Sequence, residues 1–187
     1  MNIVIYFPYI GAGINATVLL WFMVMVLIKK IPATSPASWG MWMILDGILT
    51  GAAYFAAPTK LQWILPAGWT LGALGVTSAC LIRGKFSWGR DETLCAVLVG
   101  VAVCFWQTVN AEAGVVAGAV AITIAGIPLL TDMWKAPNRG LLPVPVVTCT
   151  TCVLFIVSSY GSLVGMLLPS ASLLYNGVLI GLLFRKK

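Results

Sequence analysis

The stretch TDMWKAPNRGLLPVP, Thr131–Pro145, leaves an apolar run through a lysine, places a proline two residues later and re-enters apolar sequence through a second proline. Much earlier, VLIKKIPATSPASWG, Val26–Gly40, follows the same plan. Lys30-Ile31-Pro32 lies over Lys135-Ala136-Pro137 at an offset of 105 residues, and Leu81-Ile82-Arg83 lies over Leu183-Phe184-Arg185 at an offset of 102. One exit and re-entry built twice predicts an internal repeat, the second copy three residues shorter than the first.

Composition fixes the solvent. Of 187 residues, 60% are hydrophobic and 9% charged, with no histidine, whereas a water-soluble domain carries about 25% charged residues. The chain reads as an integral membrane protein. With roughly 20 residues needed per helical span, its length accommodates seven short spans and no separate soluble domain. Met1–Ile28 is not expected to be a cleaved leader, because Lys29 and Lys30 follow its apolar run instead of preceding it.

Apolar runs and their breakers place spans at about 4–28, 38–57, 62–82, 92–109, 113–134, 142–161 and 166–184. With the N-terminus outside, ten of the eleven basic residues fall on the cytoplasmic side and only Lys60 falls outside, the bias that the positive-inside tendency produces. The expected fold is therefore all-α with seven transmembrane helices, N-terminus outside and C-terminus cytoplasmic. Spans one to three match spans five to seven. Residues 1–83 form a first three-helix bundle, 84–110 a linking fourth span, and 111–187 a second bundle. Because a single helix separates the copies, both cross the bilayer in the same direction, a parallel repeat about an axis along the membrane normal.

The second half resembles the SWEET and PQ-loop transporter superfamily. In GIPLLTDMWKAPNRGLLPVPVV, Gly126–Val147, a small residue and proline in one helix precede a basic exit, a short loop and an early proline in the next helix. LYNGVLIGLLFRKK, Leu174–Lys187, resembles the family's terminal helix, with an asparagine and glycine followed by a small residue four positions on. Pro128 is followed by Leu129, so the proline–glutamine pair is absent, and Met23 and Leu74 stand in the first half opposite Pro128 and Asn176. The resemblance implies a bacterial inner-membrane carrier that moves a small polar solute (a sugar, an amino acid or a cationic metabolite) by alternating access. It also singles out Asn176.

Independently of any family, Asp46 is the one acid well inside a span. A charge there is costly, about 2.5–3.5 kcal/mol on insertion scales, and such residues pair or face a cavity. Trp39, Trp42, Asp46, Thr50 and Tyr54 share a helical face, so Asp46 and Trp42 are candidate substrate contacts; otherwise Asp46 is held neutral by a neighbouring helix. Asn15 and Asn176 fall near mid-membrane, and an amide offers both donors and an acceptor; the alternative is an interhelical hydrogen bond. Thr151, the repeat counterpart of Asp46, is a candidate for the opposite wall; the favoured alternative is plain packing. Pro128 and Pro145 are candidate hinges, since proline removes a helical hydrogen bond.

Cys149 and Cys152 form a C-x-x-C, which a membrane thiol oxidoreductase would use; the alternative is two small apolar residues. A non-transporting structural or receptor-like protein is the third reading, and it expects no polar cavity between the bundles. No lysine lies within the last span, which excludes a retinal Schiff base. The lack of histidine, acid clusters and phosphate loops argues against a metal enzyme or an ATP-driven pump. No cofactor and no metal are expected. The expected partners are the lipid bilayer, the solute and, as an open option, further copies of the chain. Single basic residues at span ends do not make a nucleic-acid surface.

Overall fold

The computed structural model describes residues 6–56, 63–83, 88–108, 111–160 and 162–185. Their regular elements are all helices, with no strand: α1 (Phe7–Leu27), α2 (Pro36–Ala56), α3 (Ile64–Arg83), α4 (Arg90–Thr108), α5 (Ala111–Ala125), α6 (Ile127–Lys135), α7 (Pro143–Ser158) and α8 (Leu163–Phe184). Five segments are long and apolar enough to cross a membrane, namely Phe7–Leu27, Ile64–Arg83, Val116–Lys135, Arg139–Ser158 and Gly165–Phe184. The chain is thus a multi-pass membrane protein. Lys60, Lys85, Lys186 and Lys187, which entered the charge count, lie outside the described residues, as do Val4 and Ile5 of the first span.

Local sequence sets the helix ends. Pro8, Pro36, Pro128 and Pro143 each sit in a first turn, where the missing N–H breaks no helical bond. Pro145 also lies in the first turn of α7 and so breaks none, which leaves it without the hydrogen-bond defect that a hinge needs. Ser162 caps α8 by accepting from the Gly165 N–H at 3.1 Å, and Glu92 reaches back to the Gly89 N–H at 2.9 Å ahead of α4.

Helix α1 ends in a Schellman motif. The Lys30 N–H donates to the Met25 carbonyl at 2.9 Å and the Lys29 N–H to the Val26 carbonyl at 3.1 Å. Lys29 itself adopts φ 62°, the left-handed position that glycine normally fills and that costs an L side chain about 1–2 kcal/mol. Lys29→Gly should therefore raise stability by about 1 kcal/mol in a detergent unfolding titration. An unchanged midpoint would mean that the lysine contributes a compensating interaction.

The span from Val116 to Lys135 is interrupted at Gly126, where α5 gives way to α6. The run of sequence around Gly126-Ile127-Pro128 is apolar on both sides, so it reads as a single continuous span. In the structure Pro128 opens a second helix instead of kinking the middle of one.

Helices α1 and α2 both pack on α3; α5, α6 and α7 pack on α8; and the two groups meet where α1 lies on α7 and α2 on α5. Exchanging α1 with α5–α6, α2 with α7 and α3 with α8 leaves this packing pattern unchanged. Helix α4 falls outside the exchange and lies mainly on α5. Small residues permit the closest approach: Gly68, Gly72 and Gly75 of α3 face Ala12, Leu19 and Met23 of α1, the small-residue interface of membrane helices.

The largest buried apolar cluster joins both groups near the helix ends that carry the basic residues. It includes Phe22, Val26, Trp39, Val76, Leu129, Leu141 and Leu183. At that end Arg185 donates to the Trp134 carbonyl at 2.9 Å and stacks 4.1 Å above the Trp134 ring. A much smaller cluster, Leu65, Trp69, Cys152 and Phe155, joins the groups toward the opposite end.

Candidate functional site

Between the two clusters lies a cavity of about 70 Å³. Asn15 and Leu19 reach it from α1, Trp39, Trp42 and Asp46 from α2, and Trp69 and Ala73 from α3. From the other group come Ile122 of α5, Thr148 of α7, and Ser172, Tyr175 and Asn176 of α8. Every helix pair related by the packing exchange is represented, and α4 contributes nothing among the described residues. Asp46 stands ten residues from each end of α2, roughly 15 Å along the axis at 1.5 Å per residue. Asn15, Asp46 and Asn176 are 1%, 5% and 8% exposed, so all three polar side chains are buried in its wall.

The hydrogen-bond inventory orients these groups. Thr148 donates its hydroxyl hydrogen to the Val144 carbonyl at 2.9 Å, and Thr151 donates to the Thr148 carbonyl at 2.9 Å. With their hydrogens committed, both hydroxyl oxygens can only accept, and the Asn15 amide nitrogen donates to them at 3.0 and 3.2 Å. That assignment leaves Asn15 Oδ1 buried and unpartnered. Asp46 Oδ1 is likewise buried without a partner, and no lysine or arginine lines the cavity among the described residues. The indole N–H of Trp69 is a third orphan. The Asn176 side-chain amide is tied to its own helix, donating to the Ser172 carbonyl at 2.8 Å.

Toward the basic end the cavity is bounded by a row of rings. Phe22 and Trp39 lie 5.9 Å apart between centroids, Trp39 and Trp42 5.1 Å, and Trp42 and Tyr175 5.4 Å, the last two pairs edge-to-face. The same aromatics secure the α5–α6 break. Trp42 Nε1–H donates to the Ile122 carbonyl at 2.9 Å, and the Tyr175 hydroxyl donates to the Gly126 carbonyl at 3.1 Å. The Tyr175 ring occupies the space that a Cβ on Gly126 would need. The Ile122 and Gly126 carbonyls also accept from the Gly126 and Leu130 N–H groups, so α2 and α8 add a second bond to each and pin the junction from two sides.

Of the residues singled out from sequence, Asp46, Asn15, Asn176 and Trp42 are brought together around this cavity. Thr151 stands one layer behind, fully buried against Asn15. The stripe from Trp39 to Tyr54 divides: its lower half lines the cavity, while Tyr54 is 48% exposed and packs edge-to-face on Trp63. Pro128 adjoins the junction, and Pro145 lies in the α7 entry turn. Tyr175 escaped the sequence reading. Its signal was the i, i+3, i+4 set Ser172, Tyr175 and Asn176 on one face of the last helix.

Cys152 is enclosed by Leu65, Trp69 and Phe155, and the Cys149 thiol points at the Leu173 carbonyl at 3.9 Å. Reactive thiolates need access and positive surroundings, and this apolar enclosure supplies neither. Among the described residues, no three histidine, cysteine or acidic side chains gather into a metal-binding group.

No family model, no curated protein and no solved structure matches the chain.

Proposed function

We propose that the protein is a small-solute carrier of the SWEET and PQ-loop kind, working by alternating access in the bacterial inner membrane. In this reading the chain crosses the bilayer seven times, with the N-terminus outside. α1–α3 and α5–α8 are parallel repeats, α4 links them, and Asp46, Asn15 and Asn176 form the mid-membrane site. The observation that carries it is the cavity itself: α1, α2 and α3 wall it against α5, α7 and α8, α4 contributes nothing among the described residues, and it holds a carboxyl with a buried, unpartnered oxygen. The symmetric packing supports the repeat, and the unequal clusters above and below the cavity resemble a thick and a thin gate. A purely structural bundle has no reason to maintain orphaned polar atoms at its centre, because each costs about 1–3 kcal/mol.

The test begins with a thermal-shift screen of the purified protein against sugars, amino acids and amines, because a ligand stabilises the folded state by mass action. The hits are then loaded, labelled, into proteoliposomes. A carrier exchanges them faster than protein-free vesicles do, and the double variant Cys149→Ser with Cys152→Ser retains that exchange. Exchange no faster than in empty vesicles, for every compound that shifts melting, removes the carrier reading. Exchange lost only in the cysteine variant points to thiol chemistry instead.

A further inference from the structure

The cavity's polar groups are unevenly matched, and the imbalance indicates what would complete it. Asp46 is the only side chain lining it that can carry a full negative charge, and no cationic side chain faces it among the described residues. Asn15 has spent both amide hydrogens on Thr148 and Thr151, so what it offers is Oδ1. Among the fully buried atoms, two unanswered acceptors, Asp46 Oδ1 and Asn15 Oδ1, therefore stand against one unanswered donor, the Trp69 indole N–H, while the Ser172 hydroxyl and the Asn176 amide add matched donors and acceptors at the α8 wall. The remaining wall is largely aromatic, with Trp39, Trp42, Trp69 and Tyr175 around it.

We propose that this cavity binds a small organic monocation, a primary or secondary ammonium on a short apolar body. The proposal rests on the carrier reading for its biological purpose and names that carrier's substrate class. The ammonium N–H groups answer the two orphan acceptors, its charge neutralises Asp46, and indole and phenol faces attract a cation. Other solutes fit less well. An inorganic cation needs a shell of six or more oxygens, which a ring of indoles does not provide. An amino acid brings a carboxylate that would meet Asp46 with no basic side chain to receive it. A sugar needs donors and acceptors interleaved around its ring, and here the accessible donors are few. Size agrees, since 70 Å³ of this kind of volume holds a handful of waters at about 10–15 Å³ each, the scale of a three- or four-carbon amine.

The experiment uses the full-length protein in lipid nanodiscs, read by tryptophan fluorescence and by melting temperature. The probes are propylammonium and butylammonium, with 1-propanol, 1-butanol and glycerol as neutral counterparts. The ammonium ions should change the emission saturably and raise the melting temperature, and the alcohols should do neither at equal concentration. Asp46→Asn should weaken ammonium binding by on the order of a hundredfold, since it removes one partner of a buried charged pair. Trp69→Phe should weaken it by roughly tenfold through loss of the better cation–π face. Should Asp46→Asn fail to fold, the ammonium–alcohol comparison in the native chain and the Trp69→Phe variant still decide. Equal binding of alcohol and ammonium overturns the proposal, as does no ammonium binding at all, or unchanged affinity in a folded Asp46→Asn. Glycerol binding in place of the ammonium, weakened by Asn176→Ala, overturns the cation assignment and leaves the carrier reading standing. Ammonium binding without exchange across proteoliposomes removes the carrier reading and leaves the cation site standing.

Discussion

Gly72→Val is expected to destabilise the protein by about 3 kcal/mol, the upper part of the usual cost of overpacking. A Cβ at position 72 would lie 2.7 Å from the Cβ of Leu19 and overlap its Cδ1. The δ-methyl could rotate away, but the Cβ is rooted on the α1 backbone, so α1 and α3 must separate. Leu19 and its neighbour across the interface, Ala73, both line the cavity, and separation there opens the wall of the site as well as the packing below it. Gly13→Val on α1 is the matching control, because a Cβ at that position meets nothing within 4 Å. Helix propensity favours valine over glycine at both positions, so only contact distinguishes them. Chemical unfolding in detergent measures both. Equal effects of the two substitutions would show that the close approach of α1 and α3 does not limit stability.

Asp46→Leu should act in the opposite direction, raising stability by roughly 1–3 kcal/mol, the penalty of an unsatisfied buried polar atom. Leucine fits an interior bordered by Trp42 and Ile122 and removes a group with no partner on Oδ1. A carboxyl retained for architecture would be hydrogen-bonded by a neighbouring helix, and its removal would weaken the fold. A carboxyl retained for a ligand weakens the empty protein and is answered only when the ligand arrives, the usual stability–activity conflict at a site. The same variant should lose all ligand-induced stabilisation. A lower melting temperature for Asp46→Leu would assign Asp46 to the scaffold.

These two substitutions also mark what sequence could and could not disclose. Asp46, Asn15 and Asn176 stood out because a polar residue inside an apolar run has few innocent explanations, and the structure gathers all three around one cavity. Helix positions were legible from apolar run length, since a span needs about 20 residues, and the observed bounds differ from the expected ones by a few positions. The division of the fifth span at Gly126 was not legible, because hydropathy is blind to a break flanked by apolar residues on both sides. Trp69 and Tyr175 were hard to assign, since an aromatic ring in a membrane helix suits the interface, lipid or a binding wall alike. The orientation of Asn15 was beyond reach. It depends on two threonines more than 130 positions away, and on where those hydroxyls spend their own hydrogens.

That last habit extends across the bundle. Thr17, Thr50, Thr70, Thr77, Thr123 and Thr150 each donate to the carbonyl four residues back in their own helix. A hydroxyl satisfied in this way travels with its helix as one body and needs no new partner wherever the helix turns. Between the two helical groups, the side-chain hydrogen bonds at the cavity are those of Asn15 to Thr148 and Thr151 on α7 and that of Trp42 to the Ile122 carbonyl on α5. Apart from those bonds, the groups are joined by apolar clusters, whose dispersion contacts commit no polar group to a partner on the other side.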